Sequence, residues 1–268
     1  MTGIITEIQR FSLNDGDGIR TTVFFKGCNM RCRWCHNPET FEFSPTLLRY
    51  PEKCIGCGHC GGCPTGARTI SGREVTTHDI MREIIQDRPY YESSGGGVTL
   101  SGGEVMCQAE FAAELAEACA DAKISVGVET NLSLGWDRME KLIGLCDLIM
   151  CDLKLSDDGA HRLMTGIGNE IIIKNLKKLS ETGKRWILRT PLIPGATDSD
   201  KNIAAIAKIA ANLKPDSWEL LNFNPLGGAK YNALGIKNHF EGRKPLGKPR
   251  LAELKSVAEG SGRKVVIA

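Results

Sequence analysis

The chain has 268 residues, 41% hydrophobic and 25% charged, enough for one large domain with its own core. A net charge of +2 gives no field that points to nucleic acid or a membrane surface, and no run of about 18 uncharged apolar residues suggests a transmembrane helix. The start, MTGIITEIQRFSLNDGDG, carries acids early and no long apolar stretch, so no signal peptide is expected and the cytosol is the expected location.

In chain order, a glycine-rich turn containing Asp15, Gly16, Asp17, Gly18 and Arg20 leads into an apolar strand over residues 21–26. Directly after it, the string GCNMRCRWCHNPE carries Cys28, Cys32 and Cys35. Three thiolates can hold three corners of a four-iron cluster and leave the fourth iron without a protein ligand from this loop. Such an iron is a place for chemistry, beyond electron transfer. A structural zinc site is the plainer reading, but zinc wants four closed ligands and His36 adjoins Cys35, a poor arrangement for one ion. Residues 51–75 then hold Cys54, Cys57, Cys60 and Cys63 among many glycines, with too few apolar residues for a core of their own. They are expected to form a small insert stapled by metal. Seven of the eleven cysteines fall in these two runs, which argues for metal or cluster binding over disulfides. Cys107, Cys119, Cys146 and Cys151 are scattered and read as small apolar side chains.

Beyond the insert, helix-like and strand-like segments alternate. Helices are expected over residues 80–91, 110–122, 138–146, 171–182, 201–213 and 250–259. Strands are expected over 98–101, 124–128, 147–152, 185–191, 218–223 and 264–267. The triple glycine 95–97 reads as a turn before a strand. This alternation predicts a parallel sheet with helices outside, and six units suggest a barrel that does not fully close. The polar motifs fall at one end of it. Cys28, Gly102–Glu104, Glu129–Asn131, Asp152 with Lys154, Arg189 and Asn222–Asn224 each lie at or just past the C-terminal end of an expected strand, the end where barrel active sites gather. An arginine in a strand beside Leu188 and Pro191 also points to a buried anionic partner for Arg189.

The Cys-x-x-x-Cys-x-x-Cys triplet resembles that of radical S-adenosylmethionine enzymes. The strings DGDGIRTTVFFKGCNMRCRWCHNPE, VTLSGGE, ETN, MCDLK, TGIGNEIIIKNL, LRTPLIPG and NPLGGAKYNALG narrow the resemblance to the activating enzymes of glycyl radical enzymes, typified by pyruvate formate-lyase activase. It runs from Ile8 to about Gly235, most of the chain. The resemblance implies an α/β fold, a partial (β/α)6 barrel over residues 1–50 and 76–268, with a ferredoxin-like insert at 51–75. It implies a 4Fe–4S cluster on Cys28, Cys32 and Cys35 whose open iron binds the methionine part of S-adenosylmethionine. Reductive cleavage would give a 5′-deoxyadenosyl radical that takes the α-hydrogen of one glycine in a partner enzyme.

Site roles follow by position. Gly102 and Gly103 let backbone approach the cofactor and Glu104 accepts from its ammonium group, although Val105 replaces the family's proline. Asp152 is implied for ribose or a cation, Lys154 and Arg189 for the cofactor. Glu129, Thr130, Met150 and Asp152 match a monovalent cation site, with Glu129 in place of an aspartate. Asn224 stands where many relatives have a histidine, and it cannot titrate near neutrality. Asp15, Gly16, Asp17, Gly18 and Arg20 match a loop that meets the partner's glycine segment.

Cys54, Cys57, Cys60 and Cys63, followed by Pro64, resemble a ferredoxin run. They imply one auxiliary 4Fe–4S cluster, with zinc as the alternative; such a cluster could relay electrons from a flavodoxin or ferredoxin, or equally staple the insert or shape the surface that docks the partner. Rival readings are a radical S-adenosylmethionine enzyme acting on a small molecule, such as a deazaguanine-type synthase, and a non-catalytic electron carrier. The DGDGIR loop, the TGIGNE segment and the insert speak against the first. The polar residues at the strand ends would have no purpose in the second.

Overall fold

The computed structural model describes all 268 residues. One nine-stranded sheet carries the fold. Its parallel part consists of β2 (Arg20–Phe25), β6 (Gly97–Gly102), β7 (Ser125–Thr130), β8 (Leu148–Asp152), β9 (Trp186–Leu192), β10 (Ser217–Asn222) and β11 (Lys264–Ile267). Each pairs in register with the next. β2, β6, β8 and β9 are short and buried on both faces, as a sheet covered by helices requires, whereas β10 and the edge strand β11 bury alternate residues only. On the far side of β2 the sheet continues antiparallel through β1 (Thr2–Ser12) and β5 (Arg73–Thr76). β11 and β5 are its two open edges.

Helices fill the crossovers: α1 (Thr77–Ile84) and α2 (Arg88–Ser94), α3 (Ala109–Asp121), α4 (Trp136–Leu145), α5 (Asp158–Thr165) and α6 (Glu170–Glu181), α7 (Asp200–Leu213), then α8 (Gly228–Leu234) and α9 (Lys248–Glu259). Their apolar stripes pack on the sheet in one core that includes Cys119, Cys146 and Cys151. Cys107 is half-buried.

Several expectations shift. The single helix over 80–91 is two helices with a 3-10 turn, Ile85–Asp87, between them. Pro89 sits in the first turn of α2, where its missing N–H costs nothing, but it cannot continue α1. Val75, placed in the insert, is buried in the main sheet, paired with Gly3 through β5. The cysteine run instead hangs from a separate hairpin, β3 (Thr46–Arg49) and β4 (Arg68–Ser71). The triple glycine is the turn before a strand, as expected: Gly95 caps α2 at φ +69°, a Cβ on Gly96 would collide with the backbone of Ile19, and Gly97 begins β6.

Candidate active site

The strand ends enclose one cavity of about 600 Å³. It is lined by Cys28, Cys32 and Cys35, by Gly102, Gly103 and Glu104, by Glu129, Thr130 and Asn131, and by Asp152, Lys154, Arg189 and Asn224. Every residue expected to touch the cofactor therefore reaches the same space. For strands β2 to β10 to share it, the sheet must curl. Cys54, Cys57, Cys60 and Cys63 do not line it, and of the turn at 15–20 only Asp15 does.

The cysteine loop is held from both sides. The Arg31 and Arg33 amides donate to the carbonyls of Thr165 (2.7 Å) and Met164 (3.0 Å), the last turn of α5. At the loop's exit, the buried Lys26 ammonium donates to the Glu39 carbonyl (2.5 Å) and to Thr46 Oγ1 (2.9 Å). Lys230 of α8 donates to Asn37 Oδ1 (2.7 Å) and Glu39 Oε1 (2.5 Å). Burial pushes all three thiols up, Cys35 to about 12, with repulsion from Cys32 adding to the effect there.

Gly102 and Gly103 form a cradle. Gly102 has φ +112°, which favours glycine, and an added Cβ would strike the backbone of Phe25. A Cβ on Gly103 would strike the Gly27 carbonyl. The Gly103 carbonyl accepts no hydrogen bond from the chain, while its N–H donates to Phe25 (2.9 Å). Glu104 is 1% exposed and already has work inside the protein. It accepts from the Met106 amide (3.1 Å), Thr130 Oγ1 (2.7 Å) and the Asn131 amide (2.7 Å). Three of its roughly four acceptor positions are thus used, two to fix the end of β7 and one to cap its own turn, Val105–Gln108. Burial raises its pKa against these bonds.

Across the cavity, Arg189 has the anionic partners its sequence setting suggested. Its guanidinium binds Glu129 and, at 2.7 Å, Glu219, its register neighbour on β10. Burial would lower its pKa, but the two carboxylates hold it above its ordinary value. Glu129 also accepts from Ser101 Oγ (2.5 Å), so both of its oxygens are engaged. Lys154 pairs with Asp152 at 2.5 Å. Burial opposes its charge, and Asp152, then the Cys32 thiol, outweigh it and raise its pKa. Asn224 lies exposed at the rim and caps the turn Pro225–Gly227 by accepting from the Leu226 amide (3.0 Å).

The turn at 15–20 is built into the sheet. Arg20 is 2% exposed and donates to Thr99 Oγ1 (2.7 Å) and the Val98 carbonyl (2.6 Å), so its side chain is an internal brace and not a surface. Gly16 and Gly18 have positive φ, and Asp17 pairs with Arg185 at the surface. Sequence reasoning missed Lys26, Ser101, Glu219 and Lys230. Ser101 lies within VTLSGGE and Lys230 within the NPLGGAKYNALG string, so only their position beside known motifs pointed to them.

The cavity fits an iron-sulfur cluster with a small charged cofactor. No three His, Cys, Asp or Glu side chains meet tightly enough around one point for a single ion. Three thiols instead line a wall, the arrangement a multi-atom cluster needs, and soft sulfur ligands suit iron. The glycine cradle, a free carbonyl and paired charges of both signs lie opposite.

Known proteins agree with this geometry. Residues 22–207 match the radical SAM superfamily model. The chain is 34% identical to the indoleacetate decarboxylase activating enzyme of Tractidigestivibacter scatoligenes, over 100% of this chain and 98% of that one. It is 36% identical to the pyruvate formate-lyase 2-activating enzyme of Escherichia coli (strain K12), over 98% and 91%. A radical SAM methyltransferase from Sphaerobacter thermophilus shares the fold, with a TM-score of 0.60 and 15% identity over 98% of this chain and 76% of that one. The chain belongs to the radical SAM superfamily and, within it, to the activating enzymes of glycyl radical enzymes.

Proposed function

We propose that this activating enzyme runs its chemistry in the cavity at the strand ends, within a partial (β/α)6 barrel. The observation that carries this is the convergence of three thiols, the glycine cradle and the Asp152–Lys154 and Arg189–Glu129 pairs on one space. Cys28, Cys32 and Cys35 would hold a 4Fe–4S cluster, and S-adenosylmethionine bound there supplies the 5′-deoxyadenosyl radical that takes a glycine α-hydrogen from the partner. The chain's own residues bind and orient. The Gly103 carbonyl is placed to accept from the cofactor's ammonium group, with Glu104 holding β7 in position and offering its remaining acceptor site. Lys154 is a donor for the cofactor carboxylate and Asp152 an acceptor for ribose hydroxyls. Arg189 fixes Glu129 and closes that side of the cavity to loose charge. Asn224 offers an uncharged rim contact.

A monovalent cation at Glu129, Thr130, Met150 and Asp152 would compete with Arg189 for Glu129 and with Lys154 for Asp152. Asp15, Gly16, Asp17 and Gly18 are the part of the turn available to a partner's glycine loop, with Arg20 bracing it from below.

The insert is read as ferredoxin-like, holding one auxiliary 4Fe–4S cluster on Cys54, Cys57, Cys60 and Cys63. Gly56 and Gly58 adopt positive φ between these cysteines and let the chain turn tightly. The Cys63 thiol is drawn down to about 7, first by its hydrogen bond with Thr65 and then by backbone N–H groups, which favours the thiolate a metal needs. The alignment to the indoleacetate decarboxylase activating enzyme spans 308 positions, so that relative has segments this chain lacks. A flavodoxin or ferredoxin is the electron donor that suits such a relay.

The test is anaerobic reconstitution with iron and sulfide, followed by iron counting and electron paramagnetic resonance of the reduced protein with and without S-adenosylmethionine. Wild type should carry about eight irons and Cys57→Ala/Cys60→Ala about four. The signal should change with the cofactor in both, and 5′-deoxyadenosine should form. A signal indifferent to S-adenosylmethionine would sink the assignment of the cavity.

A further inference from the structure

Buried polar atoms nearly always find a partner. Four buried side-chain atoms in this chain have none: Glu39 Oε2, His161 Nε2, Tyr231 Oη and Arg263 Nε. Three of the four belong to elements that grip the cysteine loop. Glu39 stands at its exit, His161 lies on α5 and Tyr231 on α8. None of the three lines the cavity itself; each is buried behind the loop.

Their chemistry differs. Glu39 as a carboxylate can only accept. His161 has Nδ1 2.7 Å from the Ile167 carbonyl, so Nδ1 carries the proton and Nε2 is a bare acceptor. Tyr231 is the one hydroxyl, and it is 4% exposed. Its helix is pressed onto the loop. Lys230 binds Asn37 and Glu39, and a Cβ on Gly227 would lie 2.9 Å from the His36 carbonyl oxygen and 3.4 Å from that of Cys35. The phenol lies beside Cys35 and Cys32, and a phenol is protonated at neutral pH, so Oη is a donor.

We propose that Tyr231 is a positioning and tuning residue for the cluster on Cys28, Cys32 and Cys35, its hydroxyl donating a hydrogen bond to a cluster or cysteine sulfur. This rests on the cluster reading above. Reduction adds negative charge to the sulfurs, and a donor stabilises the reduced state more than the oxidised one. Tyr231 therefore makes the cluster easier to reduce and holds the Cys35 side of the loop in register with α8.

The test uses the full chain, wild type and Tyr231→Phe, reconstituted anaerobically. The resonance signal that S-adenosylmethionine perturbs is titrated against potential. Phenylalanine keeps the packing and removes only the donor, so the midpoint should move to more negative potential. A tenfold fall in the reduction equilibrium would read as ~59 mV for one electron. Global 3-fluorotyrosine labelling strengthens the phenol as a donor. It should raise the wild-type midpoint and leave Tyr231→Phe unmoved, although Tyr50, Tyr90 and Tyr91 are labelled in both. If Tyr231→Phe takes up no iron, the wild-type fluorotyrosine titration decides alone. Equal midpoints throughout would overturn the tuning role while leaving the cluster intact. A wild type with no cofactor-sensitive signal would overturn the cluster reading and this proposal with it.

Discussion

At the scale of single residues, Arg189 shows what sequence can and cannot say. Its setting between Leu188 and Pro191 announced a buried partner, and it has two. Glu219 was out of reach of sequence reading because its place depends on the register of β9 against β10. Removing the cation should leave two shielded carboxylates facing each other. Arg189→Met is expected to cost about 3–5 kcal/mol at pH 7. The pH dependence has a definite sign. Burial holds the Glu129 pKa above its ordinary 4.5, and Arg189 is the largest influence opposing that. A raised carboxyl contributes stability that is complete below the unfolded value and is lost as pH rises through the folded one. Without Arg189 the folded value rises further, so the variant's deficit should shrink between pH 7 and pH 5. Urea unfolding at both pH values checks this, and a deficit independent of pH would show that Glu129 is not the group left stranded. Glu104 makes the opposite point. Its motif suggested a cofactor contact, yet most of its bonding capacity goes to Thr130, Asn131 and Met106, because its side chain folds back toward β7 instead of standing clear of the strand.

At the scale of elements, the helices and the parallel strands between them were readable because their apolar periodicity is set by burial on the sheet. The longest strand, β1, was missed because only one face of it is covered and its second half is largely exposed, and the other elements missed were short. β5 hid inside a glycine-rich stretch. α5 and α8, with 8 and 7 residues, are too brief to show a period. Both are functional in position, since they hold the cysteine loop that no strand supports. α8 does so through Lys230, whose partner Glu39 is only 8% exposed on its side chain. Lys230→Met should leave that carboxylate buried with one oxygen unpaired and the other stripped of its cation. A loss of about 2–4 kcal/mol is expected, by analogy with other broken buried pairs. The larger effect should be on the loop, with slower and less complete iron uptake at unchanged far-ultraviolet circular dichroism. Normal iron content with a normal melt would mean that α5 and Lys26 suffice to hold the loop.

At the scale of the whole molecule, the division of labour is between a sheet that carries stability and an insert that carries none of the core. Residues 51–62 are exposed throughout. The insert's two buried apolar residues, Leu48 and Ala67, lie on or beside its own hairpin and outside the main core. The convergence of polar motifs at strand ends could be foreseen, since a parallel strand–helix repeat puts all C-terminal ends at one edge. The way the insert joins could not, because cysteine spacing says nothing of which strands carry the loop. The hairpin suggests a decisive deletion. Tyr50 already donates to the Ala67 carbonyl at 2.8 Å, so residues 51–66 can be replaced by Asn-Gly, a turn suited to two antiparallel strands. The shortened chain should melt within about 4 °C of the full one, the shift that ~1 kcal/mol gives a domain of this size. It should keep the signal that S-adenosylmethionine perturbs and lose about half of its iron. A reduced rate of 5′-deoxyadenosine formation with a flavodoxin donor, but not with a chemical reductant, would assign the insert to electron delivery. Loss of the cofactor-sensitive signal itself would instead make the insert part of the catalytic wall, although none of residues 51–75 lines the cavity.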